Sequence, residues 1–154
     1  MQHRAYLGLG SNLGNRTANL NNAIAALQKH IGVLVKCSSY VCTEPWGFNS
    51  DNSFLNAAAL FLTKLSPLEL MQTTQIIEQQ LGRTDKSHDH IYADRTIDID
   101  ILYYDNLILS TPELAIPHPL IAQRSFVLQP LSEIAPRKKH PQLGKTTTQM
   151  LREL

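Results

Sequence analysis

Residues 95–104, "RTIDIDILYY", read as a β-strand in which two carboxylates stand among isoleucines. Side chains two apart in a strand share a face. Asp98 and Asp100 therefore stand side by side, about 7 Å apart at Cα for a rise of about 3.3–3.4 Å per residue. Ile97, Ile99 and Ile101 take the opposite face and require a core beneath them. One reading is an edge strand guarded by inward charges; the apolar alternation instead favours an interior strand. Two like charges this close are tolerable with a cation between or across them. Oxygen-only ligands suit Mg²⁺, which uses one or two carboxylates and completes its shell with waters and substrate phosphates. The spacing alone leaves metal binding open.

Outward from this strand the chain alternates elements in a definite order. "AYLGLGS" (5–11) reads as a buried strand, followed by a loop and a helix over about 17–30 with Leu20, Ile24, Leu27 and Ile31 at helical spacing. "VLVKCSSYVC" (33–42) and "FLNAAALFLT" (54–63) read as strands around a polar loop at 43–53. "SPLE" (66–69) is a strong helix start: Ser66 caps, Pro67 suits the first helical position and Glu69 completes a capping box. That helix runs to about Leu81, where Gly82 stops it, and a polar loop follows at 83–94. After the aspartate strand, "YDN" turns the chain into a short strand at 107–109. Short helices broken by Pro117, Pro119 and Pro130 are expected over 116–131, and a small helix near 147–153. The order is β-α-β-β-α-β with a C-terminal extension, which predicts an α+β, ferredoxin-like domain. Its sheet is mainly antiparallel and flanked by helices, and it spans 1–154 as a single unit.

Composition narrows the partners. Lys and Arg number 14 against 13 acidic residues, a net charge of +1, so no general attraction to nucleic acid follows. The N-terminus lacks the apolar stretch of a signal peptide, and "NAAALFLT" is too short to span a membrane. Cys37 and Cys42, five apart in the expected 33–42 strand, read as reduced, packed thiols of a cytoplasmic protein.

Further residues invite two readings each. "GLGSNLG" (8–14) departs by one position from a dinucleotide-binding fingerprint and lacks the G-K-[ST] of a P-loop. A glycine-bearing turn that packs strand and helix closely is the better reading. Arg83, Lys86, His88, His90, Arg95, His118 and Arg124 could be a salt-bridge network or could hold polyphosphate near the carboxylates. His118, set between Pro117 and Pro119, stands out from the other histidines. Gln75 and Glu78 share a helix face that solvent alone would explain. Phe54, Asn56 and Phe126 suit either a core or a flat ring ligand.

In this order "GSNLG", "TEPWG", "FLNAA", Gln-x-x-Glu leading into "GR", "RTIDIDI", "IPHP" and "RSFVLQPL" resemble the 6-hydroxymethyl-7,8-dihydropterin pyrophosphokinases of folate biosynthesis, over about residues 4–136. The resemblance implies transfer of pyrophosphate from ATP to the pterin hydroxymethyl group, with AMP released. It implies that Asp98 and Asp100 hold two Mg²⁺ ions, with Arg83 and Arg95 near the phosphates as further catalytic groups. Thr43, Pro45, Trp46, Phe54, Asn56 and Phe126 would line the pterin pocket, the two phenylalanines sandwiching the ring. Gln75, Glu78, Arg83, Tyr92, Arg95, Ile99, Ile101, His118 and Arg124 would surround ATP, and loops 44–53 and 83–95 would close over the substrates. Tyr92 stands where a tryptophan is common, and Asp94 where a proline is. A monomer working on small molecules is expected, without nucleic acid or membrane. A Mg²⁺-dependent nucleotidyl transferase or phosphoesterase using the same aspartates is the alternative, and a non-catalytic ligand-binding module a third; the products separate them.

Overall fold

The computed structural model describes residues 1–43, 53–82 and 96–154. Its elements run β1 (His3–Ser11), α1 (Arg16–His30), β2 (Gly32–Cys37), β3 (Val41–Thr43), β4 (Phe54–Thr63), α2 (Pro67–Gln80), β5 (Asp98–Tyr104), β6 (Leu109–Ser110), β7 (Ala115–Ile116), a 3-10 turn (Ile121–Gln123), α3 (Ser125–Ile134) and α4 (Thr147–Arg152). The main sheet has the order β2-β4-β1-β5, with β3 also paired to β4, and every pairing is antiparallel. This is the ferredoxin-like arrangement that the element order predicts.

The sheet is apolar on both faces, so each needs a cover. Ala5, Leu7, Leu9, Ala57, Ala59, Phe61, Ile97, Ile99 and Ile101 pack with Leu20, Leu27, Leu70 and Ile77 of α1 and α2. Tyr6, Ala58, Leu60, Leu102 and Tyr103 pack on the opposite face with Leu128, Leu131 and Ile134 of α3 and Met150 of α4. Burying a large aliphatic side chain contributes about 1.5–3 kcal/mol, so both layers hold the sheet. The helix starts follow from their caps. Asn15 accepts the Ala18 N–H, and Ser66 and Glu69 form the expected capping box.

Five sequence expectations need correction. The 33–42 strand is two strands, because Ser38 turns aside. Its N–H donates to the Ala58 carbonyl at 2.9 Å, while its hydroxyl accepts the Ala58 N–H at 2.9 Å. Cys37 and Cys42 thus sit in different strands, and both are exposed thiols rather than packed ones. Among the described residues β5 is an edge strand, not an interior one. Its isoleucine face is buried by the helix layer, not by a second neighbouring strand. Pro130 lies inside α3 instead of breaking it. The Phe126 carbonyl loses its helical donor, yet the helix continues to Ile134 with Pro130 buried. Finally, the short strand expected at 107–109 is β6 at Leu109–Ser110. Asp105, at φ 51°, turns the chain away and β6 pairs with β7.

Candidate active site

Register brings the aspartates to a specific place. Asp98 lies opposite Gly10 and Asp100 opposite Gly8 on β1, while Gly10 on its other side faces Asn56 of β4. Cross-strand partners share a face, so Asp98, Asp100, Asn56 and Phe54 all project from the sheet face that α3 covers further along. Both aspartates are half-buried. Gly8 and Gly10 are therefore strand residues between the carboxylates and the amide. Of the glycines in "GLGSNLG", Gly14, at φ 65°, fits the close turn expected there.

Each neighbour is held by its own contacts. Asn56 is 5% exposed and its Nδ2 donates to Thr43 Oγ1 at 2.7 Å, joining β4 to β3. Phe126 lies in the first turn of α3, half-buried against the second core, and the Arg124 guanidinium lies 5.4 Å from its ring centroid. Arg124 itself is buried. The His118 N–H donates to the Leu102 carbonyl at 3.0 Å, anchoring the Pro117–Pro119 segment to β5. Its Nδ1 accepts the Leu120 N–H at 3.2 Å, so the neutral ring carries its proton on Nε2. Burial, and then the Arg124 charge, push the His118 pKa down to about 4, against an upward pull from Asp98. The imidazole is thus a neutral donor at physiological pH.

The helix pair behaves differently from a solvated face. Glu78 is 7% exposed, and its Oε2 accepts the Ile99 N–H at 2.8 Å. That bond occupies the outer edge of β5, away from β1. Gln75 is half-buried on the same helix. The side chains of Ile99 and Ile101 point into the first core, leaving only their backbone for contact at this edge.

Of the sequence candidates, Thr43, Phe54, Asn56, Asp98, Asp100, His118, Arg124 and Phe126 gather around one face of the β3-β4-β1-β5 sheet. Gln75, Glu78, Ile99 and Ile101 meet at its β5 edge. Pro45, Trp46, Arg83, Tyr92 and Arg95 lie outside the described residues, as do the two expected closing loops apart from Ser53. Sequence reasoning missed Gly10, and it missed Arg16. The first residue of α1, Arg16 places its Nη1 2.9 Å from Ser53 Oγ and 3.0 Å from the Ser53 carbonyl, steadying the entrance to β4. A cation at a helix start opposes the macrodipole, and that was the available signal.

The profile of the family described as 7,8-dihydro-6-hydroxymethylpterin-pyrophosphokinase (HPPK) matches residues 6–136. The chain belongs to this family. It is 48% identical to a 2-amino-4-hydroxy-6-hydroxymethyldihydropteridine pyrophosphokinase of Porphyromonas gingivalis over 132 residues, which is 85% of this chain and 90% of that one. A Bacillus subtilis protein of the same name is 43% identical over 135 residues, covering 87% and 79% of the two chains. The fold is shared with a crystal structure of wild-type Plasmodium falciparum HPPK-DHPS. The TM-score is 0.79 at 17% identity, covering 99% of this chain and 41% of that longer one. Among the described residues no helix is long and apolar enough to cross a membrane.

Proposed function

We propose that the chain performs the HPPK reaction on the face described above. It transfers the pyrophosphoryl group of ATP to the hydroxymethyl group of 6-hydroxymethyl-7,8-dihydropterin and releases AMP. The observation that carries the site assignment is the cross-sheet row Asn56–Gly10–Asp98, which sets an amide hydrogen-bonding edge beside a carboxylate pair.

The donor set fits Mg²⁺. Asp98 and Asp100 offer oxygen ligands only, and each stands opposite a glycine of β1. Among the described residues no group of three or more His, Cys, Asp or Glu could hold a metal ion. Two carboxylates completed by waters and substrate phosphates are the arrangement magnesium favours. Bound there, Mg²⁺ ions neutralise phosphate charge and polarise the transferring group.

The remaining work falls to positioning, as phosphoryl-type transfer requires. Phe54 and Phe126 supply flat apolar surfaces for the pterin, and Asn56, steadied by Thr43, reads its polar edge. His118 donates Nε2–H toward phosphate oxygen without adding a titrating charge, and Arg124 adds a fixed cation. Gln75, Glu78 and the outer backbone edge of β5 accept the nucleoside end. Pro45 and Trp46 extend the pterin pocket, Tyr92 the nucleotide pocket, and Arg83 and Arg95 approach the phosphates. The chain acts as a monomer in the cytoplasm, as one domain, without nucleic acid.

Incubating the protein with ATP, Mg²⁺ and the pterin tests this directly. AMP and the pterin diphosphate form in equal amounts. Release of inorganic phosphate or pyrophosphate without pterin diphosphate would overturn the assignment.

A further inference from the structure

We infer that Gly10 is a positioning residue of the pterin pocket: its missing side chain is what lets Asn56 and Phe54 stand in their binding orientation. The inference rests on the pterin reading given above. A strand interior disfavours glycine, which adds no packing and loses more conformational freedom than other residues. Gly10 also has no backbone need to be glycine, since it pairs in register with both Asn56 and Asp98 and its φ lies outside the left-handed region. The requirement comes from its neighbours. A Cβ at this position would sit 3.0 Å from Asn56 Oδ1 and 3.4 Å from Phe54 Cδ1.

The closer contact has little room to relax. Asn56 is buried and fastened to Thr43 Oγ1 through Nδ2, with Thr43 on a strand of its own. A methyl group would turn the amide away from the direction that Thr43 sets, or tilt the Phe54 ring beside it. At Gly8, by contrast, a Cβ would meet only Leu102 carbons at 3.4–3.6 Å, an ordinary contact. The demand for glycine is thus local to the row that carries the amide. Gly10 touches neither metal nor phosphate in this scheme; it acts through Asn56 and Phe54.

Gly10→Ala and Asn56→Ala, singly and together, test this. Pterin affinity is read by fluorescence titration with a non-transferable ATP analogue present, and analogue affinity and thermal midpoint are read separately. Gly10→Ala weakens pterin binding by about tenfold, the worth of one misdirected hydrogen bond. Analogue affinity stays within about twofold. In the Asn56→Ala background, adding Gly10→Ala costs less than about twofold, because the contact is already relieved. Wild-type pterin affinity in Gly10→Ala, or a parallel loss of both affinities with a lower midpoint, would overturn the inference while leaving the pterin reading standing. Unchanged pterin affinity in Asn56→Ala would remove the reading itself, and the inference with it.

Discussion

The proposed metal pair rests on two aspartates set side by side on β5. They stand about 7 Å apart at Cα on one strand face, and the proposed reaction needs both. Asp98→Asn and Asp100→Asn should each lower turnover at least about 100-fold. Near-normal turnover in either would remove it from the metal pair. His118 makes a separate prediction. In the folded chain its pKa falls from 6.5 to about 4, chiefly through burial. The unfolded chain therefore takes up a proton, between those values, that the native state refuses. Stability from this group is complete above pH 6.5 and is lost as pH drops toward 4. His118→Asn, which keeps an acceptor for the Leu120 N–H, should flatten acid destabilisation in that window; equal slopes for both proteins would refute it. At this scale the carboxylate pair and the aromatic–amide pair were legible from alternation. Glu78 was not, because a helical face looks the same in sequence whether water or the Ile99 N–H meets the carboxylate.

Elements with strong local signals were read correctly, and those shaped by distant partners were not. α2 announces itself through Ser66, Pro67 and Glu69, and the structure has the capping box. Ser66→Ala should cost about 0.5–2 kcal/mol in urea unfolding; a change below a few tenths would show that tertiary packing alone sets the helix start. The division between β2 and β3 was hidden because its cause is remote. Ser38 exchanges hydrogen bonds with Ala58, and Ser39 is held by Glu133 of α3 through its N–H at 2.9 Å and hydroxyl at 2.8 Å. Pro130 misled for the same reason, since its rule is local and the compensating burial is not. The extra residue in β5, where the register shifts between Tyr6 and Leu7, sends both Leu102 and Tyr103 into the second core. Strict alternation cannot reveal such a bulge.

For the whole molecule, the order of elements sufficed to predict the sheet, because short connections and a split βαβ pattern leave few alternatives. The C-terminal extension had no such rule behind it. The Lys138 ammonium lies 5.7 and 5.2 Å from the Tyr6 and Tyr103 ring centroids and donates to the Asp105 carbonyl at 3.0 Å and Asn106 Oδ1 at 2.7 Å. It clasps the tail onto the end of β5, and Met150 of α4 completes the second core. Met150→Ala should therefore cost about 2–5 kcal/mol in denaturant unfolding, as for a core residue. A loss under about 0.5 kcal/mol would mean that the tail rests on the domain without supporting it. The sheet's two outer strands have one more consequence. An open β-edge is a template on which further chains can add and grow into fibres. On β5 the Ile99 N–H is taken by Glu78 and the Leu102 carbonyl by His118. On β2 the register slips between Leu34 and Lys36, and a lysine stands beside exposed Val33 and Val35. Both rims thus carry features that hinder the addition of a further strand.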